Sequence, residues 1–278
     1  MKKWLRLLLL VIIVGSWFLP QHQVNSQTPP AIEQTVNFKQ HFENLGLNGS
    51  IIIYDLNRNS FYQHNRERNN TAFLPASTYK IPNSLIALET GVIKDDVDVL
   101  TWDGIERGFN GSPVEEWNQD LNIRLAFKYS AVWFYQVLAR KIGHQRMQEF
   151  VSKIEYGNQD IGKKEDIDRF WLEGELRITP KQQINFLRHL YSNELPFSQQ
   201  TIDLVKDIAI AEQTPDYILR GKTGLAISVT PNIGWYVGYL EQNNNVYFFA
   251  TNLEMSSQIP LAARLEVTRL CLQELGLL

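Results

Sequence analysis

The chain has 278 residues, of which 44% are hydrophobic and 21% are charged, and its formal net charge at pH 7 is -3. This balance indicates one or two globular domains rather than a disordered chain, and the lack of a basic stripe argues against nucleic acid as a partner. The single cysteine, Cys271, excludes an internal disulfide, and its leucine neighbours favour a buried core thiol. The five histidines show no metal-ligand spacing, so no metal site is expected. No cofactor is expected either.

Residues 1–26 are predicted to be a signal peptide. Three cations among the first six residues precede an apolar run at 7–19, which Pro20 ends. The run is shorter than the roughly 20 residues of a membrane-spanning helix but suits the core of a signal peptide. An uncleaved membrane anchor is the alternative. We therefore expect residues 27–278 to be an exported protein, periplasmic in a host with two membranes, that makes no membrane contact after cleavage.

The first predicted element after this segment is a buried strand, Gly49–Asp55, with three consecutive isoleucines. The sequence Asn-Arg-Asn at 57–59 can turn the chain back into a second strand, which begins at Ser60.

Ser77 and Lys80 are the first pair of residues along the chain whose side chains could carry out a reaction. Residues three apart on a helix share a face, so the hydroxyl and the amine can meet. A helix N-terminus at Ser77 would favour developing negative charge, Pro82 predicts an irregular helix start, and Gly91 predicts the helix end. A serine nucleophile needs a base, and a lysine with its ordinary pKa of about 10.4 cannot serve until it is desolvated or altered. Taken alone, the pair also fits a helix start with an exposed lysine.

Ser130 lies in the apolar stretch 126–138, where a buried hydroxyl needs a partner. The alternative is a helical serine bonded to its own backbone. Further along the chain, Thr179 followed by Pro180 and Gln182 predicts a helix start with a capping box.

Lys222, Thr223 and Gly224 follow a lead-in that is typical of a strand. Glycines on both sides of the Lys-Thr pair let another chain or a ligand approach the backbone closely. A strand edge with a cation and a hydroxyl can bind a substrate carboxylate. A strand that ends in a turn is the plain structural alternative.

The remaining segments predict a hairpin and a last helix. Residues 233–240 and 246–253 are aromatic and β-branched runs joined by a polar link at 241–245. Pro260 opens the last helix, with Leu261, Leu265 and Leu272 on a helical spacing.

These elements predict a mixed α/β fold: an antiparallel sheet assembled from both ends of the chain, flanked by helices, with an inserted helical region. Within a single domain at 27–278, the sheet part is expected at about 36–76 and 206–278 and the helical part at about 77–205. A site is expected in the cleft between the two parts.

In this order, the three elements at Ser77, Ser130 and Lys222 resemble the serine enzymes that recognise penicillins. The wider pattern is similar to class D, the oxacillin-hydrolysing β-lactamases, from about residue 49 to the C-terminus. Ser130-Ala131-Val132 stands where class A has Ser-Asp-Asn. The matching segments are Pro75 to Leu85, Leu88 to Gly91, Trp102 to Gly104, Tyr156 to Asn158, Trp171-Leu172 and Gly234 to Gly238.

The resemblance implies that Lys80 is N-carboxylated by carbon dioxide or bicarbonate and that the carbamate is the general base. Such a reaction needs a neutral amine in an apolar pocket. Trp171 matches the residue whose indole N–H donates to the carbamate, and Val132 and Leu172 match its apolar surroundings. Plain core packing is the alternative role for Trp171.

The resemblance also implies a β-lactam substrate and a covalent acyl-enzyme on Ser77. Ser130 would relay a proton to the leaving nitrogen, and the oxyanion would lie between the backbone N–H groups of Ser77 and Leu225. Many relatives have an aromatic residue where this chain has Leu225, which bears on substrate range rather than on catalysis.

The drug's carboxylate would be held by Lys222 and Thr223 of the Lys-Thr-Gly element with help from Arg264. The Arg264 match rests on loosely similar flanking residues, with Arg269 nearby.

Two other activities share the serine–lysine signature. A penicillin-sensing receptor domain or a cell-wall transpeptidase or carboxypeptidase would stay acylated by the drug, whereas a hydrolase would release it. The sequence contains neither a Gly-x-Ser-x-Gly elbow nor a Gly-rich phosphate loop, which argues against other hydrolase and nucleotide-binding classes.

Overall fold

A computed structural model describes residues 31–278. The predicted signal peptide at 1–26 lies outside the described residues. Among the residues from 31 onwards, no helix is both long enough and apolar enough to span a bilayer.

The strands lie mainly at the two ends of the described chain. They are β1 Ile32–Gln34, β2 Gly49–Asp55, β3 Ser60–His64, β4 Val99–Leu100, β5 Gly108–Phe109, β6 Ser112–Pro113, β7 Leu121–Asn122, β8 Ile210–Gln213, β9 Tyr217–Ala226, β10 Asn232–Gln242 and β11 Asn245–Met255.

Seven of these strands form the main sheet in the order β1-β3-β2-β11-β10-β9-β8. β1 pairs with β3 in parallel and every other neighbouring pair in this sheet is antiparallel. Strands from both ends of the chain meet at the β2–β11 pair. The predicted mixed α/β fold with a sheet built from both ends is therefore confirmed, and β1 is an edge strand that the sequence did not predict.

Most helices lie between β3 and β8. They are α1 Phe38–Asn44, α2 Arg66–Asn69, α3 Lys80–Glu89, α4 Ile123–Lys128, α5 Val132–Ile142, α6 His144–Lys153, α7 Pro180–Tyr191, α8 Gln199–Ile208 and α9 Ala263–Glu274. A 3₁₀ turn, Ala76–Tyr79, precedes α3 directly. This irregular start agrees with the expectation from Pro82, which lies within the first turn of α3, where a missing N–H costs little.

The sheet separates two apolar cores because successive side chains of a strand point to opposite faces. On one face, Ile52, Trp235 and Phe248 pack with the helices of the middle region. On the other face, Ile53 and Phe249 pack with α1 and α9.

The hairpin is tighter than predicted. Its connection is not the five residues 241–245, because Gln242 pairs with Asn245 and only Asn243 and Asn244 form the turn. Both turn residues have positive φ, 53° and 56°, as a type I′ turn requires. Asparagine tolerates this conformation, so the polar run extends the strands instead of forming a loop.

The predicted apolar face of the last helix is wrong. Leu261 precedes α9, and both Leu261 and Leu265 are exposed, although Leu272 is buried. The buried face instead follows Ala263, Val267 and Cys271 at four-residue spacing and includes a buried arginine and a buried threonine. Cys271 is a core thiol, as expected.

Candidate active site

The turn that carries Ser77 is held in a strained conformation. Ala76 is fully buried with φ 48°, although a left-handed backbone is unfavourable for alanine. Its backbone N–H donates to the carbonyl of Trp171 at 2.9 Å, which ties the turn to the segment before α7. No sequence pattern indicated this strain, because alanine carries no signal for positive φ.

Lys80, the first residue of α3, points its amine at the neighbouring serine. Lys80 Nζ donates to Ser77 Oγ at 2.8 Å, so the predicted pair meets. The Lys80 side chain has no solvent exposure, and burial, with the nearby charge of Lys222, holds the pKa of Lys80 well below its ordinary value. Lys80 is thus not the exposed lysine of the structural alternative, and its surroundings favour the neutral amine.

The ring of Tyr135 forms part of the wall around this amine, with its centroid 5.2 Å from Lys80 Nζ. Its hydroxyl shares a 2.9 Å hydrogen bond with Ser84, and Ser84 Oγ also donates to the backbone carbonyl of Lys80. No sequence motif singled out Tyr135. Its helical position in an apolar stretch indicated only core packing.

Ser130 lies in the link between α4 and α5, not inside a helix, and its φ is 59°. Its hydroxyl accepts a hydrogen bond from Lys222 Nζ at 3.1 Å. The second and third predicted elements therefore meet in space. Val132, two residues later, begins α5 and is half-buried.

Lys222 lies on β9 with 5% of its surface exposed. Besides Ser130, its amine contacts the carbonyl of Thr223 at 3.1 Å and lies 5.6 Å from the ring centroid of Phe127. Burial, with a smaller contribution from the charge of Arg264, lowers the pKa of Lys222 to about 7.

From Lys222 onwards, the edge of β9 on the β8 side is paired with no other strand among residues 31–278, so it is open to a ligand. β8 pairs with β9 only as far as Arg220, so this partner strand stops before Lys222. Gly224 brings the edge and the nucleophile turn together, since a Cβ there would lie 3.1 Å from both Pro75 O and Thr78 Cγ2. Thr223 and Leu225 are half-buried, and the Leu225 side chain packs against the core shared with α9.

Arg264 supports the same strand from the α9 side. Its Nη1 donates to the carbonyl of Gly224 at 2.6 Å, and burial lowers the pKa of Arg264 to about 10. Its Nε is buried and has no hydrogen-bond partner among residues 31–278. One donor of the guanidinium is therefore engaged by β9 while another is unpaired.

Trp171 is fully buried and stacks on Tyr79, with ring centroids 5.5 Å apart. Its indole Nε1 has no hydrogen-bond partner within the described part of the chain. A buried donor without a partner is costly, so this N–H is a feature that packing alone does not explain. Leu172 is half-buried, and its carbonyl accepts from Ser228 Oγ at 2.7 Å.

Known proteins resemble this chain in both sequence and fold. Residues 47–270 match the penicillin-binding protein transpeptidase domain. β-Lactamase OXA-48 of Klebsiella pneumoniae is 41% identical over 242 residues, which are 87% of this chain and 89% of that protein. The crystal structure of the class D β-lactamase YbXI from Nostoc is 64% identical, with a TM-score of 0.85, and the match covers 88% of this chain and 100% of that one. The chain belongs to the class D β-lactamases.

The chain is therefore a serine hydrolase of the class D β-lactamase family, as its motifs predicted. It is also 33% identical over 242 residues to the regulatory protein BlaR1 of Bacillus licheniformis, a match that covers 87% of this chain and 39% of that protein.

The buried amine of Lys222 predicts a measurable pH dependence of stability. Its folded pKa of about 7 lies below the ordinary value of 10.5. Between these values the unfolded chain binds a proton that the folded chain does not, so stability rises with pH. Lys222→Met should remove this rise, which is at most about 5 kcal/mol over the whole window.

Urea unfolding of both proteins at pH 7 and pH 9 measures the effect, with the exposed Lys181→Met as a control that keeps the wild-type pH dependence. Equal pH dependence in Lys222→Met and wild type would show that Lys222 stays protonated in the folded protein.

Proposed function

We propose that this protein hydrolyses β-lactam antibiotics through an acyl-enzyme on Ser77 and thereby gives resistance to them. The observation that carries the proposal is the buried, desolvated Lys80 amine 2.8 Å from the Ser77 hydroxyl. A serine becomes nucleophilic when a base takes its proton, and desolvation makes a lysine a base near neutral pH. The class D relatives support the same activity.

Acylation needs a proton donor for the lactam nitrogen as well as a base. In our proposal Ser77 Oγ attacks the lactam carbonyl while the base at Lys80 takes its proton, and the C–N bond breaks. The Ser130 hydroxyl then gives a proton to the leaving nitrogen. Lys222, which donates to Ser130 at 3.1 Å, stabilises the oxygen that results until the proton taken by the base at Lys80 returns to Ser130. The base at Lys80 then takes a proton from a water molecule, which attacks the ester carbonyl and releases the acyl group from Ser77.

The tetrahedral oxyanion needs two donors that are in place before the reaction. We assign these to the backbone N–H groups of Ser77 and Leu225. The close approach of Gly224 to Thr78 supports this assignment, because it brings the backbone on which Leu225 follows against the backbone on which Ser77 lies.

Positive charge near β9 suits the carboxylate that penicillins carry. Lys222 and Thr223 would bind it at the strand edge, where β8 no longer pairs. Arg264 acts from behind the strand: its hydrogen bond to Gly224 O holds the edge in place, and its charge adds to the local field. Arg264 is therefore proposed to support carboxylate binding rather than to form the main contact.

We also propose that Lys80 is N-carboxylated, which would supply an anionic oxygen base in place of a neutral amine. The residues present fit this modification. A depressed lysine pKa provides the neutral amine that reacts with carbon dioxide, and the unpartnered indole N–H of Trp171 can donate to an anion but cannot accept from an ammonium. Val132 and Leu172, both half-buried, are proposed to restrict water around the site.

Turnover of a penicillin by residues 27–278 tests the proposed activity. We expect sustained hydrolysis that rises with added bicarbonate and a loss of at least about 10³-fold in Lys80→Ala, since the base is removed. A time course of hydrolysis with and without bicarbonate measures both.

A burst of one equivalent that leaves the drug on Ser77 would instead identify a sensor or a penicillin-binding protein. Mass spectrometry of the quenched protein separates this result from an inactive preparation.

The role assigned to Trp171 can be tested by removing its N–H alone. Trp171→Phe keeps an aromatic ring against Tyr79 but removes the N–H, so it should weaken carboxylation of Lys80 by about tenfold or more. Carbon-13 NMR with labelled bicarbonate reports the carbamate, and Lys80→Ala provides the blank. A high bicarbonate concentration should partly restore hydrolysis by Trp171→Phe. If the variant instead gives a carbamate signal equal to that of the wild type, Trp171 does not have this role.

We propose that residues 1–26 direct export and are then removed. Cations followed by a short apolar run support this reading. N-terminal sequencing of protein from a periplasmic extract is expected to begin at Gln27. A chain that keeps its N-terminus and stays with the membrane fraction would favour the anchor.

A further inference from the structure

A buried side chain on α7 is bonded to the turn that carries the nucleophile, and the mechanism above does not use it. Gln183 is 1% exposed, and its Nε2 donates to Thr78 Oγ1 at 3.0 Å. Thr78 Oγ1 donates in turn to the carbonyl of Pro75 at 2.8 Å. The two bonds therefore connect α7 to the residues on both sides of Ala76 and Ser77.

This link requires a hydrogen-bond donor on the side chain at position 183, which the amide of Gln183 provides. The Thr78 hydroxyl has one proton, which Pro75 O accepts, so toward Gln183 it can only accept. The Gln183 Nε2 supplies that donor and also donates to the hydroxyl of Tyr156 at 3.2 Å. A carboxylate at position 183 would lack the donor and would add a buried charge.

Helix α7, which carries Gln183, is itself well anchored. Its N-terminus is closed by a capping box, in which Thr179 Oγ1 accepts from the backbone N–H of Gln182 at 3.0 Å and Gln182 Oε1 accepts from the backbone N–H of Thr179 at 2.9 Å. The helix packs on β2, β10 and β11 of the sheet. Because α7 is held against the sheet, the hydrogen bond from Gln183 restrains the position of the turn.

The turn needs such support because it is strained. Ala76 has a left-handed backbone, and conformations of this kind persist only where the surroundings over-determine them. Trp171 holds the turn through the Ala76 N–H on one side of Ser77. On the other side, the hydrogen bond to the Thr78 side chain comes from Gln183.

We propose that Gln183 is a positioning residue for acylation: through Thr78 it sets the place of the Ser77 hydroxyl and of the Ser77 N–H. The inference rests on the proposed function, because it assigns Ser77 as the group that is acylated. An error of about 1 Å in the position of reacting groups can cost about 100-fold in rate. Loss of the link is therefore expected to slow acylation while deacylation, which depends on the base at Lys80, changes little.

Gln183→Met tests this, since it keeps the side-chain length and removes the donor. We expect the acylation rate constant, measured by stopped flow with a chromogenic cephalosporin, to fall about 10-fold to 100-fold per titrated active site, with the deacylation rate constant within about twofold. A purely structural role would lower the melting temperature and the fraction of active protein, but not the rate constant per active site.

Thr78→Val removes the acceptor of the same hydrogen bond and keeps the shape of the side chain. It can therefore test the proposal if Gln183→Met does not fold. It should slow acylation at least as much, and the double variant should be no slower than Thr78→Val alone, within about twofold. The matched control is Gln182→Met, which loses a capping-box bond on the same helix. It should lower the melting temperature and leave the acylation rate constant unchanged.

The inference is overturned if the wild type forms the acyl-enzyme on Ser77 and Gln183→Met forms it at the same rate. It is also overturned if the losses in the double variant multiply, because the two residues would then act separately. A wild-type protein that forms no acyl-enzyme would overturn the proposed function itself.

Discussion

The burial of two lysine amines beside one strained turn is the constraint on which the rest of this site depends. Lys80 is wholly buried and Lys222 almost so, and burial lowers the pKa of both amines. The charge of Lys222 further disfavours protonation of Lys80, and the charge of Arg264 further disfavours protonation of Lys222. Burying an ammonium costs several kcal/mol unless it loses its proton. The cost has a chemical consequence, because a neutral amine can accept a proton or react with carbon dioxide, whereas an ammonium can do neither. Burial of these amines thus lowers the stability of the fold and, at Lys80, leaves a neutral amine where the reaction needs a base.

Around this pair, separate parts of the chain hold the turn at Ala76 and Ser77. The backbone N–H of Ala76 donates a hydrogen bond to the carbonyl of Trp171, which lies in the segment before α7. Strand β9 approaches the same turn at Gly224. Gln183 adds a third contact from within α7. A left-handed alanine is stable only under such combined restraint, which explains why the site lies where the sheet and the helical region meet.

Much of the fold was predictable where local chemistry and periodicity agree. The strand Gly49–Asp55 and the capping box at Thr179 are present as predicted, since both depend on neighbours in sequence. Prediction failed for α9, whose buried face contains Arg264 instead of the exposed Leu265. A pattern of large apolar residues at helical spacing does not predict a buried arginine. Arg264 is buried because its guanidinium donates a hydrogen bond to the carbonyl of Gly224 on β9.

The sequence by itself determined the order and spacing of the reactive groups: a serine and a lysine three residues apart, and a Lys-Thr-Gly element on a strand. Only the tertiary structure decided their states. The depressed pKa of Lys80, the bond from Lys222 to Ser130 and the unpartnered indole of Trp171 arise from segments far apart in the chain. The physical reason is that desolvation and hydrogen-bond pairing depend on which atoms surround a group in space, and sequence spacing does not specify those atoms.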